Sequence, residues 1–316
     1  MNSEVKHRRV RTNGIWMHIA EQGSGPLLLL LHGFPELWFS WRHQITHLAA
    51  KGFHVVAPDM RGYGDTDSPP HHSSYTYFHL VGDIIGLLDD LNQQQAFVVG
   101  HDWGALVGWH LSLFRPDRVR GFVSLSVAFP RPSFMSAAFM TKTFGDGLYI
   151  SQFQEPGRAE KAFGRYDCST VMKKFLLIDK DDPLIAPPGV ETIDFLHTPS
   201  SLPSWISEDE IRFFTQKFEE TGFTGGLNYY RAMDLNCELL GPWNGSKVTV
   251  PVKLIVGDKD IGFSVYTKSY IEGPVLKDLV PNLEVVVLAD AHHFIQQERP
   301  QEITDEILSF IAKLSS

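Results

Sequence analysis

The sequence predicts an α/β fold in which a mostly parallel β-sheet carries helices on both of its faces. Three features predict it: a strand hairpin at the start, short apolar runs that alternate with helical patterns, and a long helical segment that interrupts this alternation. With 316 residues, of which 43% are hydrophobic, the chain is long enough to bury one large core and to carry an insertion.

The predicted sheet begins with an antiparallel hairpin. Residues 7–11 and 15–21 have strand patterns, and between them lies Asn13-Gly14, a pair that accepts the positive φ angles of a tight turn. We therefore expect a two-stranded antiparallel ribbon at the start of the fold.

The other strands are predicted from short runs that are apolar at nearly every position. Such runs are typical of strands that helices cover on both faces. They lie at residues 27–31, 54–57, 97–99, 122–125, 252–256 and 284–288. Helical patterns separate several of them, most clearly at residues 80–91, and an amphipathic helix is predicted at 303–314.

Between about Pro130 and Lys247 the alternation of strands and helices stops. This segment is helical and rich in Phe, Pro and Gly, and its clearest helix begins at the capping box of Ser207 and Glu210 and ends at Gly222. The sequence therefore predicts three parts: a first part of the core at residues 1–130, a helical cap at 131–247, and a second part of the core at 248–316.

Composition and charge exclude several classes of partner. The net charge is −9 and no long basic stretch is present, so we expect neither nucleic acid nor anionic lipid to bind. The longest purely apolar run, Leu27–Leu31, is too short to span a bilayer, so no membrane anchor is expected. Cys168 and Cys237 form no metal-binding or redox pattern, which indicates free thiols in a reducing compartment. We therefore expect a cytoplasmic protein with a small neutral ligand.

The most informative motif is a strand that runs into Gly100-His101-Asp102-Trp103-Gly104 and then into a helix. In the serine hydrolases such a turn holds a serine, and the glycines are needed because the backbone is tight and strained. Here Asp102 occupies the nucleophile position. A carboxylate, with a usual pKa of about 3.9, is already an anion at neutral pH and can attack saturated carbon to form an ester. An aspartate that merely caps the following helix is the structural alternative.

A second motif, Leu31-His32-Gly33-Phe34-Pro35-Glu36, directly follows a predicted strand. It resembles the oxyanion-hole loop of the α/β-hydrolases, in which a backbone N–H points toward the nucleophile. We therefore predict that the N–H groups of Phe34 and Trp103 hold the charge that develops when water attacks the ester. A plain His-Gly turn is the alternative.

A base and its acid are expected after the last two predicted strands. The first of these strands is followed by Asp258 and Asp260, and the second by His292 and His293. Because parallel strands share their carboxyl edge, these side chains are expected near Asp102. There the acid would orient the imidazole, and the imidazole would remove a proton from water. The pattern does not separate Asp258 from Asp260, or His292 from His293.

Five motifs carry a resemblance to a known family. They are His-Gly-Phe-Pro at 32–35, Gly-His-Asp-Trp-Gly at 100–104, Phe-Gln-Glu-Pro-Gly at 153–157, Gly-Phe-Thr-Gly-Gly-Leu-Asn-Tyr-Tyr-Arg at 222–231 and His-Phe-Ile-Gln-Gln-Glu-Arg-Pro at 293–300. With these motifs the sequence resembles the plant soluble epoxide hydrolases over essentially its whole length. The resemblance implies an α/β-hydrolase fold with a mostly parallel, eight-stranded sheet and an inserted helical cap. The residue patterns indicate no cofactor and no metal, and we expect a monomer or homodimer.

The same resemblance assigns roles to single residues. It selects His293 as the base and Asp260 as its acid, and it makes Tyr149 and Tyr230 donors to the epoxide oxygen. Four further residues are expected to position substrate or water: His32, Pro35, Glu36 and His101.

The two tyrosines also make chemical sense without the resemblance. An opening epoxide leaves an alkoxide, which departs poorly unless it receives a proton or a strong hydrogen bond, and a phenol with a usual pKa of about 10 can supply this at neutral pH. We therefore predict an enzyme that converts an epoxide and water to a vicinal diol through an ester on Asp102. The aromatic-rich cap favours fatty-acid, aryl or alkyl epoxides. By resemblance, the role in a plant would lie in cutin-monomer formation, defence or detoxification.

Two other functions compete with this prediction. A haloalkane dehalogenase also uses an aspartate at this turn, often with a following tryptophan that can hold the halide, as Trp103 would. A ligand-binding protein of the same fold, without catalysis, is the alternative from another class. The presence of every hydrolytic group and of Tyr149 and Tyr230 favours the epoxide hydrolase.

Overall fold

The computed structural model describes residues 4–130, 136–179 and 182–315. Its centre is a sheet of eight strands. They are β1 (Lys6–Thr12), β2 (Ile15–Gly23), β3 (Leu27–Leu31), β4 (His54–Pro58), β5 (Ala96–His101), β6 (Val119–Leu125), β7 (Val252–Gly257) and β8 (Leu283–Leu288). The spatial order is β1-β2-β4-β3-β5-β6-β7-β8. Strand β2 is antiparallel to both β1 and β4, and all other neighbours are parallel.

The helices fall into three groups along the chain. Three α-helices lie between consecutive strands from β3 to β6: α1 (Arg42–Ala50), α2 (Tyr77–Asp90) and α3 (Trp103–Phe114). The described residues between β6 and β7 form eight helices, which we call the cap: α4 (Ala137–Phe144), α5 (Tyr149–Gln152), α6 (Arg158–Phe163), α7 (Cys168–Leu176), α8 (Thr192–Phe195), α9 (Glu208–Thr221), α10 (Thr224–Arg231) and α11 (Met233–Leu239). Four helices follow β7: α12 (Lys268–Glu272), α13 (Pro274–Leu279), α14 (Ile295–Glu298) and α15 (Pro300–Ser315).

The predicted hairpin is confirmed. Thr12 of β1 pairs with Ile15 of β2, so that Asn13 and Gly14 form a two-residue turn. Their φ angles are 42° and 84°, which is the left-handed conformation that Asn and Gly accept most readily.

The two faces of the sheet explain why β3 is apolar throughout. Successive side chains of a strand point to opposite faces. Leu27, Leu29 and Leu31 pack with α2, α3 and the cap. On the other face, Leu28 and Leu30 pack with α1 and α15. All five leucines are 2% exposed or less. Burying a leucine side chain contributes roughly 1.5–3 kcal/mol, so this strand anchors both halves of the core.

The predicted start and end of one cap helix are also confirmed. The Glu210 N–H donates to Ser207 Oγ at 3.3 Å, and the Ser207 N–H donates to Glu210 Oε2 at 2.7 Å. Helix α9 ends where Gly222 takes a φ of 69°. These bonds satisfy N–H groups that a helix start otherwise leaves without partners.

Side-chain contacts hold the cap against the core. The Phe39 ring packs on the Phe213 ring of α9 with centroids 4.3 Å apart, and Arg42 of α1 donates to Glu210 of α9 at 2.5 Å. The Tyr229 hydroxyl of α10 donates to the Arg61 carbonyl oxygen at 2.8 Å. The cap therefore lies over the carboxyl edge of the sheet.

One burial prediction was wrong. The run at residues 284–288 forms β8 as expected, but β8 is an edge strand, and Val285 and Val287 are 37% and 47% exposed. An apolar run has the same sequence pattern whether both faces of its strand are covered or only one.

The limits of the three predicted parts, 1–130, 131–247 and 248–316, stay a proposal, because the first limit falls beside residues 131–135, outside the described residues. None of the helices in the described ranges combines the length and the apolar character that a bilayer crossing requires. Both cysteines are free.

Candidate active site

Three of the predicted site residues follow strands that run in the same direction. Asp102 follows β5, Asp260 follows β7 and His293 follows β8. Strands β5 to β8 are parallel neighbours, so their carboxyl ends meet at one edge of the sheet. Strand β3, which leads into Phe34, pairs with β5 where the strand order reverses. Open α/β sheets bind ligands at such a switch point.

The backbone of Asp102 is strained and turns its carboxylate out of the sheet. Its φ is 52° and its ψ is −119°, a conformation that costs a non-glycine residue about 1–3 kcal/mol. Flanking glycines make room for the turn: a Cβ on Gly104 would lie 2.1 Å from the Leu31 carbonyl oxygen. A Cβ on Gly33 would lie 2.3 Å from Asp102 Oδ1. The loop after β3 can therefore approach the carboxylate closely.

A backbone donor holds one oxygen of this carboxylate. The Phe34 N–H donates to Asp102 Oδ1 at 2.8 Å. Trp103 is the first residue of α3, and the first N–H groups of a helix have no acceptor within it. The described structure holds no hydrogen bond from the Trp103 N–H to the carboxylate. Both predicted donors thus lie beside Asp102, and the resting geometry engages Phe34.

His293 lies between two carboxylates. Its Nδ1 is 2.7 Å from Asp260 Oδ1, and its Nε2 is 3.7 Å from Asp102 Oδ2. The Ile261 N–H also donates to Asp260 Oδ1 at 2.7 Å. The structure therefore brings Asp102, His293 and Asp260 together.

The two neighbours left open by the sequence pattern have other partners. His292 Nδ1 lies 3.1 Å from a Glu298 oxygen, and the Asp290 N–H donates to Asp258 at 2.8 Å. Neither His292 nor Asp258 lines the cavity described below. Their contacts are local to the loops after β7 and β8.

The carboxylates set the protonation of His293. Burial alone would lower its pKa, but the negative charges and hydrogen bonds of Asp260 and Asp102 outweigh burial and raise the pKa of His293 well above its usual value of 6.5. The imidazole is therefore a cation at neutral pH while Asp102 is charged. Loss of the Asp102 charge would lower the pKa of His293 again.

Glu36 and His101 form a polar network beneath these residues, and both side chains are fully buried. His101 Nδ1 lies 2.6 Å from Glu36 Oε2, and His101 Nε2 lies 2.8 Å from the His293 carbonyl oxygen. Both ring nitrogens of His101 therefore lie within hydrogen-bond distance of an oxygen atom. Gln296 and Gln297 donate to Glu36 Oε1 at 2.7 and 3.2 Å. The network ties the loop after β3 to the backbone of the histidine.

The neighbours of Glu36 explain why its carboxylate can be buried. Burial would raise the pKa of Glu36, but the charge and hydrogen bond of His101, the nearby His32 and the Gly33 N–H lower it to about 2. Glu36 is therefore an anion at neutral pH.

The remaining predicted positioning residues differ in their location. His32 Nδ1 lies 2.9 Å from the Gly33 carbonyl oxygen, and the Met60 N–H donates to His32 Nε2 at 2.9 Å. His32 thus shapes the loop. Pro35 lines the cavity, whereas the side chains of His32, Glu36 and His101 do not.

Tyr149 and Tyr230 face the cavity from the cap. Tyr149 begins α5 and Tyr230 lies near the end of α10, and their ring centroids are 5.9 Å apart at 77°. Burial raises the pKa of both phenols well above 10, and the negative charge of Asp102 adds to this. Both hydroxyls therefore keep their protons and can donate them in hydrogen bonds at neutral pH.

A cavity of about 530 Å³ connects these groups. Asp102, Asp260, His293, Tyr149 and Tyr230 all line it. Most of its wall is apolar and includes Leu106, Met140, Phe175, Leu184, Met233 and Phe294. This size and lining are typical of sites for small apolar molecules with one or two polar groups.

One group of described residues has the spacing of metal ligands: His18, Asp59 and Asp65. Their polar atoms have protein partners, since His18 Nδ1 lies 2.8 Å from Asp59 Oδ2 and Lys217 donates to Asp65 at 2.9 Å. None of the three lines the cavity. We therefore interpret the group as a polar contact between the hairpin and the loop after β4.

Three residues of the site were not predicted from the sequence. Ser126 lines the cavity and donates to the His293 carbonyl oxygen at 2.9 Å, and Gln296 and Gln297 hold Glu36. Ser126 directly follows an apolar strand, and the two glutamines belong to the motif at 293–300. The signal for Ser126 was therefore its place at the end of β6. The signal for the two glutamines was the motif that contains them.

Comparisons with known proteins agree with this geometry. Residues 26–300 match the family profile of the alpha/beta hydrolase fold. The chain is 51% identical to epoxide hydrolase 2 of Siraitia grosvenorii over 98% of this chain and 99% of that protein. It is 39% identical to epoxide hydrolase A of Mycobacterium tuberculosis over 97% of each chain.

Solved structures show the same fold over the same length. An epoxide hydrolase from Vigna radiata superposes with a TM-score of 0.94 at 49% identity, over 98% of each chain. A mutant of the potato epoxide hydrolase superposes with a TM-score of 0.93 at 45% identity, over 98% of this chain and all of that one. The chain therefore belongs to the α/β-hydrolase fold family and, within it, to the epoxide hydrolases.

Proposed function

We propose that this enzyme converts epoxides and water to vicinal diols through a covalent ester on Asp102. One observation carries the proposal: Asp102 and the two cap tyrosines, Tyr149 and Tyr230, line the same largely apolar cavity. The carboxylate supplies the nucleophile, and the phenols supply donors for the oxygen that the ring releases.

The first step opens the ring. Because the Phe34 N–H holds Asp102 Oδ1, Oδ2 is the oxygen that attacks the epoxide carbon. The Oδ2–carbon bond forms as the carbon–oxygen bond of the epoxide breaks, and a phenol passes its proton to the departing oxygen. The apolar wall strengthens the attack, since an anion with little water around it is a better nucleophile.

The second step cleaves the ester. Esterification removes the charge of Asp102, so the pKa of His293 falls and the imidazolium releases its proton to solvent. The free Nε2 can then take a proton from water. The water oxygen joins the ester carbonyl carbon, and the N–H groups of Phe34 and Trp103 stabilise the charge on Oδ1. The bond between the Asp102 carboxyl carbon and Oδ2 then breaks, and His293 protonates the released alkoxide oxygen, which becomes the second hydroxyl of the diol. The proton of the new carboxylic acid restores the phenol, and His293 regains a proton from solvent once Asp102 is charged again.

The buried network acts as a positioning device. His101 binds the backbone of His293, and Glu36 binds His101. Ser126 donates to the same carbonyl oxygen. We propose that these three residues hold the imidazole where it meets the water, and that Pro35 shapes the adjoining wall.

The dehalogenase alternative is weakened by the surroundings of Trp103. Its indole ring packs edge-on against the Tyr230 ring, with centroids 5.0 Å apart, so it is in contact with a phenol of the cap. A departing halide needs no proton, whereas an alkoxide does. The two phenols therefore support an epoxide as the substrate.

The wider expectations from the sequence stay predictions. They are a fatty-acid, aryl or alkyl epoxide as substrate, a cytoplasmic location, a monomer or homodimer, and a role in plant lipid-epoxide metabolism or detoxification. The largely apolar cavity supports the substrate class.

A single turnover in ¹⁸O-labelled water tests the covalent step. The water oxygen attacks the Asp102 carbonyl carbon, so the label is expected in the peptide that contains Asp102, and the first diol is expected to remain unlabelled. Mass spectrometry of the peptide and the diol measures both. Label in the first diol and none in the peptide would show direct attack of water on the epoxide and would contradict the proposal.

The Tyr149→Phe, Tyr230→Phe double variant tests the phenols. Without a donor the departing oxygen must leave as a free alkoxide, so we expect alkylation of Asp102 to slow by roughly 10²- to 10⁴-fold. Rapid mixing with an excess of enzyme over a chromogenic epoxide measures this rate. Tyr166→Phe is the matched control, because the Tyr166 hydroxyl bonds Asp194 outside the cavity. An unchanged alkylation rate in the double variant would remove the phenols from the mechanism.

A further inference from the structure

The loop that follows Asp260 forms one wall of the cavity. It contains a π-helical turn, Phe263–Thr267, that leads into α12. Short π-helical segments occur frequently at functional sites. Ile261, Tyr266 and Thr267 of this loop all line the cavity.

The hydroxyl end of Tyr266 lies against the backbone of Gly262, close to Asp260. Gly262 has a φ of 69°, and a Cβ on it would lie 2.1 Å from Tyr266 Oη. Only a residue without a side chain leaves this space to the phenol. Tyr266 is also 44% exposed. The ring therefore lies where the cavity meets solvent, with its hydroxyl beside the loop that holds Asp260.

This hydroxyl has no role in the steps described above. The Tyr270 hydroxyl, on the same wall, donates to the Phe129 carbonyl oxygen at 2.8 Å. In the described ranges, by contrast, the side-chain hydroxyls of Tyr266 and Thr267 make no hydrogen bond. Burial, together with the charge of Asp260, raises the pKa of Tyr266 to about 12. Tyr266 is thus a neutral phenol with an unused donor.

We propose that Tyr266 is a specificity-determining residue that donates a hydrogen bond to a second oxygen of the substrate, on the substituent that points toward the cavity mouth. The preferred substrate class is then an epoxide with a hydroxyl, ether or carbonyl oxygen away from the ring. This inference rests on the proposed function. Its physical reason is that such an oxygen loses water when it enters an apolar cavity, and a donor there offsets the loss.

The Tyr266→Phe variant removes the hydroxyl and keeps the ring. The probes are pairs of alkyl epoxides of equal chain length, one with a hydroxyl and one without, in a series that moves the hydroxyl along the chain. We expect kcat/KM for the best hydroxylated probe to fall by about 3- to 10-fold, the usual range for one neutral hydrogen bond. We expect kcat/KM for its unsubstituted partner to stay unchanged within error.

Val265→Ala is the matched control. Val265 is the neighbouring residue, is 57% exposed and does not line the cavity. We expect this variant to treat both members of each pair as the wild type does. Thermal melting of both variants measures whether the loop change affects the fold.

Two outcomes would overturn the inference. An equal loss on both members of every pair would mean that Tyr266 acts on the chemistry or the fold and not on the second oxygen. No loss on any hydroxylated probe would mean that the hydroxyl contacts no substrate oxygen. Failure of the proposed function would appear separately, as a wild-type protein that forms no diol from the unsubstituted probes.

Discussion

Replacing His293 by glutamine is expected to stop the enzyme after the first step, so that the substrate stays bound to Asp102 as an ester. His293 lies 3.7 Å from Asp102 Oδ2 and is held by Asp260. Alkylation needs only the carboxylate and the phenols, whereas cleavage of the ester needs a base for water. Without the base we expect ester hydrolysis to slow by roughly 10²- to 10⁴-fold, and intact-protein mass spectrometry to show one substrate added to each chain.

His292→Gln is the matched control for this experiment. His292 precedes the proposed base and pairs with Glu298, and it does not line the cavity. We expect this variant to turn over substrate at nearly the wild-type rate and to accumulate no ester. Accumulation of the ester in His292→Gln but not in His293→Gln would show that His292, and not His293, is the base.

The same pair of variants gives a pH signature of stability. The pKa of folded His293 is raised above its usual value of 6.5, so its charge stabilises the folded protein. This contribution is fully present below about pH 6.5 and is lost as the pH rises through the raised pKa of the folded state. The difference in free energy of unfolding between His292→Gln and His293→Gln is therefore expected to shrink from neutral to alkaline pH. Chemical denaturation at several pH values measures it.

The sequence predicted those parts of the fold that depend on local patterns. The leucines of β3 are apolar at every position because helices cover both faces, and Asn13-Gly14 forms the turn that its conformational freedom allows. Asp102 between two glycines predicted a strained turn, which its φ of 52° confirms. Each of these features is determined by residues within a few positions of one another.

Other features depend on contacts between distant segments. The bond between His101 and Glu36 spans 65 positions, and the bond between Gln296 and Glu36 spans 260. The residue pattern does not predict that Glu36 is buried beneath the catalytic residues and does not line the cavity. Likewise, no local signal separates the edge strand β8 from a central one. The place of Tyr266 on the cavity wall depends on the absence of a side chain at Gly262. The contact between these two residues is visible only in the folded loop.

The largest loss of activity is expected from changes at Asp102. Both Asp102→Ala and Asp102→Gly remove the oxygen that attacks the epoxide carbon, and no other carboxylate takes its place, because Asp260 is engaged by His293 and by the Ile261 N–H. We expect diol formation to fall by on the order of 10⁴- to 10⁶-fold, as is found when a nucleophile is removed. Steady-state assays with an epoxide measure this loss. Diol formation at the wild-type rate in either variant would exclude the covalent mechanism.

The two inactive variants are expected to differ in stability, and this difference tests the strain of the turn. Both lose the same carboxylate and the same bond from the Phe34 N–H. Alanine must still adopt the φ of 52° and ψ of −119° found at this position, whereas glycine adopts them without steric cost. Strain of this kind costs about 1–3 kcal/mol, and the greater freedom of glycine in the unfolded chain offsets about 0.5–1 kcal/mol. We therefore expect Asp102→Gly to be more stable than Asp102→Ala in chemical denaturation. Equal stabilities, or a more stable alanine variant, would show that the strain of the turn is no larger than the contribution that the freedom of glycine in the unfolded chain offsets.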